Sequence, residues 1–313
     1  MKVVILGKGE MLSNLIEGAL AANCQVAGVF RYERTITHPF LLGLKDFFKS
    51  SPEVTLIKKY KLNEIKCKSA NSKNFKQEIL KLNADVILVG TWHEKLKKEI
   101  INLPVIASVN VHPSLLPEYR GPNPYLQTIL HREKFSGITF HLMDENFDTG
   151  AILAQKRIDI LPNDTSKELK ERTIFQARLM CSDVLNKLQS GLIVPVNQNE
   201  KEATYYKNIK PEDMMLDFNR ESAEQIHARI RSFHPWLPCY VTYKDKFFIP
   251  NPYQLKIISV DSNCKAGEII DFDDKTRSIT VLCKYNKALK MDDIKIYGHK
   301  FRKNILKRII ANS

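Results

Sequence analysis

Asn110 and His112 stand two residues apart in Ser108-Val109-Asn110-Val111-His112-Pro113-Ser114, and Asp148-Thr149-Gly150 begins 36 residues after the histidine. On a strand, a spacing of two puts both side chains on one face. In an open α/β sheet the carboxyl ends of the strands are where ligands bind, so an amide and an imidazole converge on one point. An aspartate before a glycine is ordinary turn chemistry by itself. Beside an asparagine and a histidine it becomes a candidate base or orienting group. The three suit acyl transfer to an amine. The amide and a protonated imidazole can hydrogen-bond the oxyanion of a tetrahedral intermediate. A nearby carboxylate holds the imidazole protonated and helps take the amine proton. The amine attacks directly, so no serine or cysteine nucleophile is needed.

Such residues converge only if the surrounding chain builds a parallel sheet, and the hydrophobic pattern asks for one. Residues 2–7, 25–30, 85–90 and 105–111 read as buried strands, and 10–22 and 73–82 as helices. Apolar strands alternating with helices imply parallel pairing with helices on both faces. Residues 137–143 and 151–158 read as two strands joined across the Asp148 turn, and 166–190 as a long amphipathic helix. Gly7-Lys8-Gly9 invites a dinucleotide reading, but position 12 is Leu and the second strand runs into Phe30-Arg31 where an acid is required. The glycines are read as a tight strand-to-helix turn. The expected organisation is a Rossmann-like α/β domain over 1–192 and a polar linker over 193–206. A smaller domain follows over 207–313, where short strands and turn signals from about 238 to 298 suggest an OB-like β-barrel.

Composition narrows the function classes. With 43% hydrophobic and 27% charged residues, the chain can bury a core and is not disordered. No run approaches the roughly 18 apolar residues of a membrane span. The opening MKVVILGKGE reads as a strand and not a signal-peptide core, so a cytoplasmic protein is expected. Six scattered cysteines and eight histidines without ligand spacing imply reduced thiols and no metal. The net charge of +13 favours polyanionic partners. It is concentrated in 207–313, which holds 20 Lys+Arg against 13 Asp+Glu. The last 19 residues carry six cations and no acid, a candidate contact for a phosphate backbone.

The run N-x-H-x-S-L-L-P-x-Y-R-G over 110–121, followed by Phe147-Asp148-Thr149-Gly150, resembles the formyltransferases that use 10-formyltetrahydrofolate. The resemblance implies that Asn110, His112 and Asp148 are catalytic. It also implies that Ser114, Leu115, Leu116 and Pro117 line the folate pocket, with Val89, Gly90, Thr91 and the strand Ile138–His141. The residues themselves read His131 and His141 as structural. Downstream, Glu202-Ala203-Thr204-Tyr205, Ile209-Lys210, Leu216-Asp217-Phe218 and Ile230–Trp236 are similar to the carboxyl-terminal domain of methionyl-tRNA formyltransferases. That module also occurs in an enzyme that formylates an aminoarabinose nucleotide, whereas single-domain purine-pathway formyltransferases lack it. The resemblance therefore implies methionyl-tRNA as the amine acceptor of a monomeric enzyme, with an amino-sugar nucleotide as the alternative.

Departures bear on the acceptor. Gly7–Met11 replaces a usual G-T-P-x-F loop, and Leu237-Pro238-Cys239 a usual Pro-Gly-Ala. Tyr119 stands where tRNA enzymes commonly carry Trp, and Val89–His93 replaces an Ala-Tyr-Gly stretch near the pterin. His93 is read first as a surface histidine after a strand, with a contact to the folate pocket as the alternative. The basic insertion of the tRNA enzymes corresponds to residues 31–52, which supply Arg31, Arg34, Lys45 and Lys49 among Phe40, Phe47 and Phe48.

Overall fold

The structure, a computed structural model, describes residues 1–48, 50–243, 246–261 and 263–297. The chain divides into two units. Unit 1 comprises Met1–Pro124, Ser136–Asp159 and Glu171–Tyr206; unit 2 comprises Tyr125–Phe135, Ile160–Lys170 and the described residues from Lys207 on.

Unit 1 follows the expected α/β pattern. Its strands are β1 (Lys2–Gly7), β2 (Gln25–Arg31), β3 (Val86–Gly90), β4 (Ala107–His112), β5 (Phe135–Leu142) and β6 (Ile152–Asp159). They form one sheet in the order β2-β1-β3-β4-β5-β6. The first four are mutually parallel, and β5 runs antiparallel to β4. The helices are α1 (Gly9–Ala21), α2 (Glu33–Ile36), α3 (Pro39–Phe48), α4 (Pro52–Lys59), α5 (Lys73–Leu82) and α6 (Lys98–Ile101). After α7 (Pro124–Leu130) comes α8 (Ser166–Gln189), whose residues from Glu171 on belong to unit 1.

The two-residue repeat of the strands divides the apolar side chains between two cores. Val3, Ile5, Leu88, Val109, Val111, Ile138 and Phe140 pack with α1 and α8. Val4, Leu6, Ile87 and Val89 pack on the other side with Phe75 and Ile79 of α5 and Ile100 of α6. This alternation orients the polar residues. Asn110 and His112 alternate with Val109 and Val111, so they point away from the α1/α8 core. Thr139 and His141 alternate with Ile138 and Phe140 and do the same.

Unit 2 contains most of α7, the start of α8, helix α9 (Ala223–Phe233) and the remaining strands. Ser222 and Gln225 close a reciprocal capping box that starts α9. The strands are β7 (Val241–Tyr243), β8 (Lys246–Ile249), β9 (Leu255–Ser259), β10 (Ile269–Asp273), β11 (Ser278–Leu282), β12 (Lys287–Met291) and β13 (Lys295–Tyr297). They form two antiparallel sheets, β10-β11-β12-β9 and β13-β8-β7. Both sheets contribute to one apolar cluster with Ile226, Ile230 and Phe233 of α9. Among the described residues, no helix is long and apolar enough to cross a membrane.

Candidate active site

Antiparallel pairing of β4 with β5 sets Asn110 opposite His141 and His112 opposite Thr139. All four therefore share one face at the carboxyl end of β4, and Asp148 reaches the same place from the turn between β5 and β6. Asp148 Oδ1 lies 3.3 Å from His112 Nδ1, 3.8 Å from His141 Nε2 and 3.4 Å from Asn110 Nδ2. Its other oxygen accepts the Gly121 backbone N–H at 3.0 Å. The three expected catalytic residues are brought together, and His141 joins them.

The two imidazoles have opposite protonation states, and their partners say why. His112 faces an acceptor on each side: the Asp148 carboxylate at Nδ1 and the Tyr119 carbonyl at 2.8 Å from Nε2. Two acceptors call for two N–H donors, which only the imidazolium has. Burial opposes that charge, but Asp148 and the Tyr119 carbonyl outweigh it, so the His112 pKa is raised. His141 Nδ1 donates to the Leu142 carbonyl at 2.7 Å, leaving Nε2 to accept from Asn110 Nδ2 at 3.0 Å. Burial holds His141 down to about 4, so it is neutral near pH 7. Burial would raise Asp148, yet the His112 charge, the Gly121 N–H and His141 hold it at about 2. The result is a buried imidazolium–carboxylate pair beside an amide oriented by a neutral imidazole.

Backbone geometry supports this arrangement. Asp148 and Tyr119 both have positive φ, +59° and +58°, a region that non-glycine residues adopt only where the surroundings enforce it. Gly121 also has positive φ, and a Cβ there would collide with the Tyr206 carbonyl. The chain beyond 193, expected to be a linker, is bound along this edge of unit 1. Arg120 N donates to Thr204 O at 2.9 Å, Tyr206 N to Arg120 O at 3.0 Å, and Tyr119 N to Thr204 Oγ1 at 2.8 Å. The Tyr119 ring stacks on Tyr206 at 4.9 Å. Nothing in the composition of 193–206 announces these contacts, because backbone pairing carries most of them.

The expected pocket residues take different places, and Thr139, opposite His112, ties two of them to the site by accepting from Leu116 N at 3.2 Å and donating to Ser114 O at 2.6 Å. Ser114 is buried, its Oγ donating to Glu118 O at 2.7 Å. Leu115 fills the space above Gly137. The Leu116 carbonyl accepts from Gln155 at 2.6 Å, and the Pro117 carbonyl accepts from Thr204 N. Val89 and Ile138 are core side chains on opposite sides of the sheet, and Gly90 lies against Met11 and Leu15. Thr91 is exposed, with φ +57°. Val89 is paired with Asn110 across β3 and β4 and shares its face, whereas the Ile138 side chain lies in the α1/α8 core and is not brought to the quartet. Trp92 and His93 pack against Tyr32, each with ring centroids 5.1 Å away. His131 lies in unit 2, with Nδ1 2.8 Å from Gln127 O. Among the described residues no group of three side chains could hold a metal ion.

Two cations of the 31–52 insertion, Arg31 and Arg34, are turned inward, whereas Lys45 is exposed. Arg31, 2% exposed, makes a bidentate pair with Asp46 at 2.5 and 3.1 Å and reaches Glu64 at 2.6 Å. Arg34 grips the same Glu64 at 2.6 and 2.9 Å. Neither is a free cation for an acceptor. Lys49 and the side chains of Phe40, Phe47 and Phe48 lie outside the described residues.

Comparison with known proteins agrees with the geometry. The formyl transferase family model matches residues 1–185, and the model for the formyl transferase C-terminal domain matches residues 208–303. The chain is 30% identical over 303 residues to a methionyl-tRNA formyltransferase of Clostridium novyi (strain NT), covering 96% of this chain and 94% of that one. It is 32% identical over 256 residues to that of Caldanaerobacter subterraneus subsp. tengcongensis, covering 82% and 80%. A solved sugar 3N-formyl transferase, WlaRD, crystallised in the presence of dTDP and 5-N-formyl-THF, superimposes with a TM-score of 0.65 at 16% identity, covering 96% and 99%. That last likeness is one of fold.

Proposed function

From the premise that this chain belongs to the formyl transferase family, we propose that it transfers the formyl group of 10-formyltetrahydrofolate to the free amine of methionyl-tRNA. The observation that carries the reaction is the quartet Asn110, His112, His141 and Asp148, closed at distances of 3.0 to 3.8 Å. What supports the acceptor is similarity across both units to methionyl-tRNA formyltransferases at about 30% identity.

The folate co-substrate supplies the formyl carbon, and the donor set suits its carbonyl. As the amine attacks, negative charge grows on the formyl oxygen. The His112 imidazolium stabilises it through its charge, and the Asn110 amide donates to it by exchanging its 3.4 Å contact with Asp148 for the oxyanion. One such donor is worth about 10²–10³ in rate. His141 holds the Asn110 amide, so its orientation is set before substrate arrives. Asp148 keeps His112 charged and is the carboxylate in reach to accept the proton that the amine sheds; the bond from the formyl carbon to N10 of the folate then breaks, and N10 leaves carrying one proton in return.

The decisive experiment offers labelled 10-formyltetrahydrofolate with charged initiator methionyl-tRNA in one arm and a panel of amino-sugar nucleotides in the other. Transfer to the tRNA alone bears the reading out; transfer to a sugar alone replaces the acceptor. The basic tail, with Lys300, Arg302, Lys303, Lys307 and Arg308, lies outside the described residues, and its phosphate-binding role is proposed from charge alone. Replacing those five with Gln is expected to raise the Michaelis constant for tRNA. It should also flatten the slope of log affinity against log salt by roughly 0.7 to 0.9 for each phosphate that the tail no longer neutralises.

A further inference from the structure

Gln198 lies in the segment that resembles a linker, yet its amide is fully committed. Both Nε2 protons donate to backbone carbonyls of the catalytic turn, Asp148 O at 2.9 Å and Gly150 O at 2.8 Å. Its Oε1 accepts twice from Arg120, from Nη2 at 2.7 Å and Nε at 3.2 Å. The amide has one sensible orientation, because flipping it would set oxygen against two carbonyls and nitrogen against a guanidinium.

Arg120 is 7% exposed and sits between the two residues that complete the site. The Tyr119 carbonyl accepts a hydrogen bond from His112 Nε2, and the Gly121 N–H donates to the second oxygen of Asp148. The other partner of the guanidinium, Glu200, grips it bidentately at 2.7 and 2.9 Å from a side chain that is 68% exposed, whereas Gln198 also reaches the Asp148 and Gly150 carbonyls. Gln198 is thus the bridge between the turn that presents Asp148 and the loop that presents Tyr119 and Gly121.

We infer that Gln198, acting with Arg120, is a positioning residue for formyl transfer, fixing the two loops at the separation that keeps Asp148 on His112. The inference rests on the formyl-transfer reading for its kinetic consequence but not for its structural one. The charged and titratable groups acting on His112 are Asp148, Arg120 and His141. Of these only Asp148 favours its protonation, so any loosening of the Asp148 turn lowers the pH at which His112 loses its proton.

Two variants separate the halves of the bridge. Gln198→Met keeps the bulk and removes every hydrogen bond. Gln198→Glu keeps an acceptor for Arg120 but sets oxygen against the Asp148 and Gly150 carbonyls. Both are expected to lower kcat by about 10- to 100-fold, as loss of an orienting partner does at other sites, with the Michaelis constant for 10-formyltetrahydrofolate changed less than about threefold. By imidazole NMR, the His112 titration midpoint should fall in Gln198→Met, which adds no charge, and Asn197→Ala, a neighbouring exposed position, should behave as wild type. Should Gln198→Met fail to fold, Gln198→Leu, which also removes every hydrogen bond and adds no charge, decides. An unmoved His112 midpoint overturns the inference, whether or not kcat falls. If wild type transfers no formyl group, the reaction reading fails, and the His112 titration still decides the role of Gln198.

Discussion

Arg31 and Asp148 are both buried, charged and hydrogen-bonded in unit 1, but the networks around them are balanced differently. Around Arg31, two guanidinium groups meet two carboxylates, Asp46 and Glu64, through five hydrogen bonds. Opposite charge holds Arg31 above its ordinary pKa and Glu64 below its own, in both cases against burial, so neither titrates near neutrality. Around Asp148, one carboxylate serves two imidazoles, an amide and a backbone N–H, and only one imidazole carries charge. Paired charges with nothing left over hold a fold. A carboxylate shared among groups that can gain or lose a proton is poised to move one.

The contrast is broken most severely by removing one side of the balanced network. Arg31→Met leaves Asp46 without its buried partner and is expected to cost about 3–5 kcal/mol of stability. Turnover of the folded fraction should be nearly unchanged. Denaturant unfolding followed alongside kcat checks this. A collapse of kcat with stability intact would make Arg31 a functional group and dissolve the distinction.

The converse holds at the site. His112→Asn or Asp148→Asn should lower single-turnover formyl transfer by about 10²–10³ while folate affinity changes little. Equal loss of affinity and rate would make them binding groups instead.

A smaller effect separates His141 from His112. His141→Gln disturbs two hydrogen bonds, to the Leu142 carbonyl and from Asn110. Only the second orients a group of the site, and it is worth about 0.5–1.5 kcal/mol, so kcat should drop by about tenfold at most. In wild type, protonation of His141 near pH 4 takes away the acceptor for Asn110, giving an acid limb in the rate profile that this variant should lack. A limb that persists in His141→Gln belongs to another group.

The pH dependence of stability sharpens the comparison further, with signs that follow from proton linkage. Asp148 is depressed to about 2, so its contribution is present above its ordinary range near 3.8 and is lost as pH falls through 2. His141 is held neutral, so stability also declines as pH drops from about 6.5 toward 4, where the unfolded chain takes up the proton first. His112 is raised, so its contribution is complete below about 6.5 and disappears as pH climbs through the folded value. The stability difference between wild type and a variant lacking both histidines should peak near pH 6.5. A difference that is flat with pH would show that the quartet does not share charge as described.

Much of unit 1 was legible because strands buried on both faces are continuous apolar runs, whatever they later pair with. Residues 2–7 and 85–90 could be little else. Asn110 and His112 were legible for a local reason: alternation along one strand puts them on one face without knowledge of any neighbour. Asp148 was visible only through company, since an aspartate before a glycine is common in turns. The short helices over 33–59 were not anticipated, since only Leu42 and Val54 of their described hydrophobic side chains are fully buried.

Composition and periodicity determined an α/β unit followed by a β-rich one, the polar pair on the fourth strand, and an excess of cations toward the carboxyl end. Tertiary structure alone decided the rest. His141 meets Asn110 because β5 runs antiparallel to β4 in one register, and a strand carries no mark of its partner's register. The protonation states of His112 and His141 depend on which acceptors each nitrogen faces. Arg31 and Arg34 read as free cations until Asp46 and Glu64, 15 to 33 residues away, close on them. Gln198 reads as linker until its amide is seen between two loops. In each case the deciding quantity is a distance of about 3 Å between groups far apart in the chain, and local sequence rules reach only a few residues.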